Sequence, residues 1–124
     1  MNVVDSSAWL EYFADGPNAD FFAGAVEDTS ALVVPSVILY EVFKRMLAQV
    51  GEEGALKAAA AIQQGDVVDF TCKLAIAAAR VSVELALPMA DSIILATARA
   101  RGATLWTQDA DFEGIAGVEY VARA

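Results

Sequence analysis

The chain has 124 residues, 57% of them hydrophobic, a formal net charge of −9, no histidine and a single cysteine. That length suits one domain with one core, spanning 1–124, and the apolar content excludes a disordered chain. The missing histidines remove Ser-His and Cys-His catalysis and histidine metal sites, while the charge should repel nucleic acid rather than collect it.

"NVVDS" is a short β-branched run ending in an acid, read as a buried strand entering a turn. "SSAWLEYFA" follows with a capping serine and Trp9, Leu10 and Phe13 at helical spacing. "DGP" breaks that helix, and Asn18 to Asp28 reads as a second. "ALVVP" is the next strand, closed by Pro35. Ser36 is expected to cap a helix running to about Val50, with Gly51 as its stop. A second arm over roughly 52–64 then completes a helical hairpin ended by Gly65.

"DVVDF" is a third strand. Thr71 caps a helix reaching about Leu87, where Pro88 intervenes. Cys72, without a histidine to activate it, is expected to be a small buried hydrophobe. "ADSIILATARARG" is a further helix stopped by Gly102, "ATLWT" a strand, "DADFEGI" a short helical turn and "VEYVA" a last strand. Strands alternating with helices predict an α/β fold, with a central parallel sheet of about four to five strands flanked by helices on both faces.

No apolar run reaches the roughly 18 residues of a membrane helix, so no membrane partner is expected. An acid at Asp5 stands where a signal peptide's apolar stretch would begin. With one cysteine and no internal disulfide, a reducing cytoplasm is the expected compartment.

In open parallel sheets functional groups gather at the carboxyl ends of the strands. Asp5 ends the first strand, Asp109 follows "ATLWT", Asp91 opens a helix, and Glu41 lies early enough on its helix to face the same edge. Asp5, Asp91 and Asp109 each have a plainer reading as a helix or turn cap. Glu41 has one as an ion-pair partner of Lys44 or Arg45, although Val37, Ile38, Leu39, Tyr40, Val42 and Phe43 surround it with apolar residues. Carboxylates gathered without a cation repel and force protons onto one another. A hard divalent cation such as Mg²⁺ or Mn²⁺ resolves that conflict and supports phosphoryl hydrolysis without histidine.

At these motifs the sequence resembles the PIN-domain ribonucleases, and within them the VapC-type toxins of toxin–antitoxin pairs. "VVDSSAWLEYF", "PSVILYEVFKRM" and "LPMADSIILATARARGATLWTQDADF" carry the resemblance from end to end. It implies a PIN fold and a Mg²⁺-dependent endoribonuclease, Mn²⁺ being able to substitute, with Asp5, Glu41, Asp91 and Asp109 as metal-binding acids. Ser6 and Thr107 match positions whose hydroxyls support the acids or a water. Asp111 matches a variably acidic position and is expected to turn away with the short helix.

The resemblance also implies a homodimer and a small cognate antitoxin, which supplies the DNA-binding part that this chain lacks. A basic, partly extended antitoxin segment would suit the charge of −9. That charge departs from what gripping RNA requires. Lys44, Arg45, Arg99 and Arg101 could contact phosphate or stand as solvated surface groups. Trp9, Tyr12, Phe13 and Phe43 read as core or dimer contacts rather than base-stacking platforms.

Two alternatives stay beside this reading. A non-catalytic PIN-like interaction module would keep the fold and use its acids only for folding. An acidic receiver domain would need paired acids after the first strand and a lysine after the last; Asp5 stands alone, Asp69 is the only phosphoacceptor candidate, and no lysine follows Lys73.

Overall fold

β-Branched and proline-terminated runs alternate with helices along the chain, and each becomes an element. The computed structural model describes all 124 residues. In order they form β1 (Asn2–Val4), α1 (Ser6–Phe13), α2 (Ala19–Glu27), β2 (Val33–Pro35), α3 (Ser36–Ile62), β3 (Asp66–Val68), α4 (Cys72–Leu85), α5 (Met89–Ala100), β4 (Thr104–Thr107) and β5 (Val118–Tyr120). Short 3-10 turns occupy Thr29–Ala31 and Ala110–Phe112.

All strand pairs are parallel. Val3 lies opposite Leu105, and Leu105 opposite Val118, giving the order β1-β4-β5. Val34 lies opposite Val67 in a separate β2-β3 pair. One bridge, Asn2 to Leu32, connects the two groups. The five expected strands are thus present, as three plus two joined at one point rather than one continuous ladder.

Neighbouring strand residues point to opposite faces, yet Val3, Val4, Val33 and Val34 are all buried. Helices therefore cover both faces of the sheet, as parallel strands require. The core cluster joins Trp9, Phe22, Ile38, Ile94, Leu105 and Phe112 with residues of every strand except β3 and β5, which pack on it from its edges through Val67, Val68 and Val118. α5 is buried from Ser92 to Ala98, and its hydroxyls are satisfied internally: Thr97 Oγ1 donates to the Ile93 carbonyl and Ser92 Oγ to that of Met89.

Gly51 behaves as expected. Its φ of 86° and ψ of 179° lie in a region essentially restricted to glycine, and they break α3 into two arms. An unbroken helix of 27 residues would run roughly 40 Å away from β2. Instead the chain returns within it, so that β3 pairs with β2 and Ala59 and Gln63 face Leu39 and Phe43 across a shared apolar groove. Thr71 caps α4, its Oγ1 accepting the Leu74 N–H at 3.2 Å. Gly102, at φ 62°, follows α5.

Three local expectations are corrected. Ser6 and Ser36 are the first helical residues rather than caps; Asp5 and Pro35 hold the preceding positions, and neither provides a side-chain cap bond. Cys72 is exposed at the start of α4, not buried. Cys72, Ile76 and Val83 share the outer face of α4 at helical spacing, while Ala78 and Val81 face the core.

Gly51→Ala should destabilise the fold by about 1–3 kcal/mol, because alanine must hold a backbone conformation that only glycine adopts freely. Urea unfolding midpoints of the two proteins check this; equal midpoints would show that α3 relaxes at no cost.

Candidate metal centre

The acids occupy the carboxyl-terminal edge of the sheet, where β1 runs into α1 and β4 into the turn over Ala110–Phe112. Asp5 immediately follows β1 and is 3% exposed. Its carboxylate does not cap α1; it accepts from two hydroxyls instead. Ser7 Oγ donates to Asp5 Oδ2 at 2.8 Å and Thr107 Oγ1 donates to the same oxygen at 2.9 Å. Each bond to a charged acceptor contributes about 1.5–3 kcal/mol, against a desolvation penalty of several kcal/mol for an ion. Burial prevails: it pushes the Asp5 carboxyl above its usual range, and nearby Asp109 adds to the effect.

Thr107 ends β4 and is fully buried. Its Oγ1 accepts the Asp109 backbone N–H at 2.9 Å, so its one proton is committed to Asp5. A single hydroxyl therefore fixes the end of β1 to the turn after β4. Asp109 Oδ1 in turn accepts the Asp111 N–H at 2.9 Å, forming the short turn over Ala110–Phe112. Contrary to the expectation that the short helix turns Asp111 away, its carboxylate stands with those of Asp91 and Asp109.

Asp91 enters from the first turn of α5. Carboxylate oxygens of Asp91, Asp109 and Asp111 lie within 4.8 Å of one another. Partial burial is the largest influence on Asp91; the charges of Asp109 and Asp5 and the adjoining Asp111 carboxyl act in the same direction. Together they push its carboxyl up to about 7. The positive helix end that Asp91 occupies favours the ion but is outweighed. The chain's two ion pairs, Lys57–Glu53 and Arg101–Asp66, lie elsewhere, so no basic side chain neutralises the cluster.

Glu41 stands apart from these three oxygens. On the first arm of α3 it is half-buried, and its Oε1 accepts from Ser6 Oγ at 2.6 Å. No ion pair with Lys44 or Arg45 forms. The consecutive serines divide the work: Ser6 reaches Glu41 and Ser7 reaches Asp5. Sequence reasoning singled out Ser6 and missed Ser7, which the helical rotation between adjacent residues sends back toward the sheet. It also missed buried Gln108, whose Nε2 donates to the Ser7 carbonyl and whose Oε1 accepts from Asn18 Nδ2.

The donor set suits a hard cation. Oxygens on opposite sides of an octahedral Mg²⁺ are roughly 4.2 Å apart, twice a bond of about 2.1 Å, close to the spread of the three carboxylates. An all-oxygen, net negative cluster without a basic partner is the chemistry such an ion binds.

The sequence matches the PIN domain over residues 3–118. The chain belongs to the PIN-domain family. Solved structures share the fold closely across nearly the whole length. A toxin–antitoxin complex from Klebsiella pneumoniae superimposes with a TM-score of 0.82 at 22% identity, covering 96% of both chains. The Mycobacterium tuberculosis VapC20, described as a sarcin–ricin loop cleaving toxin, gives 0.77 at 21% identity, with 94% of this chain and 95% of that one covered. DNA-bound VapBC from Salmonella typhimurium gives 0.73 at 21% identity and 98% coverage of both. No curated protein sequence matches. Membership of the PIN family sets aside the receiver-domain alternative; Asp69, its phosphoacceptor candidate, is exposed beyond β3. No single helix of this PIN domain is long and apolar enough to cross a membrane.

The raised Asp91 carboxyl has a signed consequence for the metal-free PIN domain. Between the unfolded value of 3.8 and the folded value of about 7, the native state holds a proton that the unfolded state has released. Stability from this group is therefore lost as pH rises through that window. Asp91→Asn should be more stable than the parent chain at about pH 8 in the presence of a chelator, and the difference should vanish toward about pH 4. Thermal melts of both proteins across that range check this; a difference that does not change with pH would refute it.

Proposed function

We propose that this PIN domain is a divalent-metal-dependent endoribonuclease, acting as the toxin of a toxin–antitoxin pair. The observation that carries the reading is the group of Asp91, Asp109 and Asp111 carboxylates gathered beside buried Asp5 with no basic side chain paired to them. A folded chain that keeps mutually repelling acids at a strand edge gives up stability there, and a metal-dependent reaction accounts for it.

In this reading Asp5, Asp91 and Asp109 hold Mg²⁺, or Mn²⁺ in its place, and Asp111 joins them through the turn that Asp109 caps. Glu41 completes the acidic set from α3. What a divalent cation supplies when bound is Lewis-acid polarisation of a phosphodiester and neutralisation of charge at the leaving oxygen. The chain's own groups do the positioning. Thr107 and Ser7 fix Asp5 Oδ2 by donating to it, and Ser6 sets the orientation of Glu41. In the metal-free chain the Asp91 carboxyl, at about 7, keeps a proton near neutral pH that a bound cation would displace, so metal affinity at this site should rise with pH.

The fold likeness to the Klebsiella pneumoniae toxin–antitoxin complex and to VapC20 supports the toxin assignment and a small antitoxin partner. A homodimer and a cytoplasmic setting belong to the same proposal. DNA contacts would come from the antitoxin rather than from this acidic chain.

Asp91→Asn, Asp109→Asn and Asp111→Asn should each lower Mg²⁺-dependent cleavage of RNA by roughly 100-fold or more while keeping the fold. Gel analysis of a labelled RNA incubated with purified protein, with and without Mg²⁺, measures this. Undiminished cleavage by Asp91→Asn, or cleavage that persists in excess chelator, would overturn the metal-dependent reading.

A further inference from the structure

A groove of about 590 Å³ lies between α1 and the first arm of α3. Ser6, Leu10 and Ala14 line one wall and Glu41, Arg45 and Gln49 the other, so it follows one face of each helix at a four-residue repeat. From Ser6 to Ala14 that is about 12 Å at 1.5 Å per residue. Such a shape suits an elongated ligand better than a compact anion.

Its charge is unlike that of the rest of the molecule. Lys44 and Arg45 enter from α3, and Arg123 arrives from the C-terminal segment. Three of the chain's eight basic residues thus meet in one groove, and none of the three is engaged in an ion pair. Lys44 Nζ rests 5.6 Å from the ring centroid of Tyr40, which restricts where that ammonium points. The two acids of the groove are occupied: Glu11 Oε2 accepts the Asn18 N–H at 2.8 Å, and Glu41 Oε1 accepts from Ser6. The groove is net positive on a chain of net charge −9. At one end Ser6 and Ser7 belong both to it and to the hydroxyl set holding Glu41 and Asp5.

We propose that this groove seats the backbone of single-stranded RNA beside the bond to be cut, with Lys44, Arg45 and Arg123 contacting its phosphates. The inference rests on the nuclease reading and adds the path of the substrate. Phosphate contacts of this kind hold a strand without reading its sequence. An acidic peptide would also find three cations here, but nothing would require it to run on into a cluster of carboxylates. A substrate strand must do so.

The test uses the full chain carrying Asp91→Asn, which retains RNA uncut, and a fluorescent single-stranded oligoribonucleotide followed by anisotropy over a range of salt concentrations. Adding Lys44→Gln, Arg45→Gln and Arg123→Gln together should weaken binding by roughly tenfold or more and lower the salt slope by about 2, some 0.7 for each phosphate no longer neutralised. Adding Lys57→Gln and Lys73→Gln instead, both on exposed positions outside the groove, should leave binding unchanged. Unaltered affinity and slope in the triple variant would overturn the proposal. So would a triple variant that releases an oligoglutamate peptide while still holding RNA. Cleavage separates this from the nuclease reading. If Asp91 is intact and no RNA is cut, yet the triple variant still releases the oligonucleotide, the groove stands and the nuclease reading falls. If RNA is cut and the triple variant keeps its KM, the groove falls alone.

Discussion

An acid almost sealed from water, Asp5, sets the terms for everything at this edge of the sheet. Its tether is the Thr107 hydroxyl, which gives its only proton to Asp5 and takes the Asp109 N–H in exchange. Because that exchange joins residues 102 positions apart, it holds only while β1 and β4 stay in register, Val4 opposite Trp106. A slip of one residue would turn the threonine to the other face and leave a buried carboxylate with one donor fewer. Sheet register and site geometry are one constraint.

The acids around Asp5 illustrate how a fold can oppose its own local preferences. α5 is buried nearly throughout and anchors the molecule, yet its first turn presents Asp91 to two further carboxylates. The packing of Ile93, Ile94 and Leu95 fixes the helix, and Asp91 comes with it whether or not its charge is welcome. The apolar core thus carries an electrostatic arrangement that would disperse if the side chains were free, in keeping with local conflict confined to a functional site.

Much of this was legible in the sequence because it depended on local chemistry. Five β-branched runs gave five strands, and Gly51, Thr71 and Gly102 acted where a glycine or a capping hydroxyl has few alternatives. Asp5, Asp91 and Asp109 could be placed at one edge of the sheet from their positions at strand ends and a helix start, whereas Glu41 stands apart from the carboxylates of Asp91, Asp109 and Asp111. What stayed hidden depended on neighbours distant in the chain or on side-chain rotation. Cys72 could not be seen to face solvent because it lies beside the exposed stripe of Lys73, Arg80 and Glu84 rather than on it, in line with Ile76 and Val83, whose apolar side chains also read as core. The role of Ser7 rested on a helical turn of about 100° that separates it from Ser6. Asp111 joined the cluster with Asp91 and Asp109, and Arg123 reached the α1–α3 groove from the far end of the chain.

The lone bridge between Asn2 and Leu32 has its own consequence. Two groups of strands that share one bridge are held together by the side chains of the common core, not by a ladder of directional bonds. Amide exchange would find a seam there, with β2, α3 and β3 able to open as a unit while β1, β4 and β5 remain paired. Asp5, Asp109 and Asp111 belong to one side of that seam and Glu41 to the other, and the Ser6 hydroxyl crosses it. An opening at that seam would change the distance between Glu41 and the acids around Asp5 before it changed the distances among Asp5, Asp109 and Asp111.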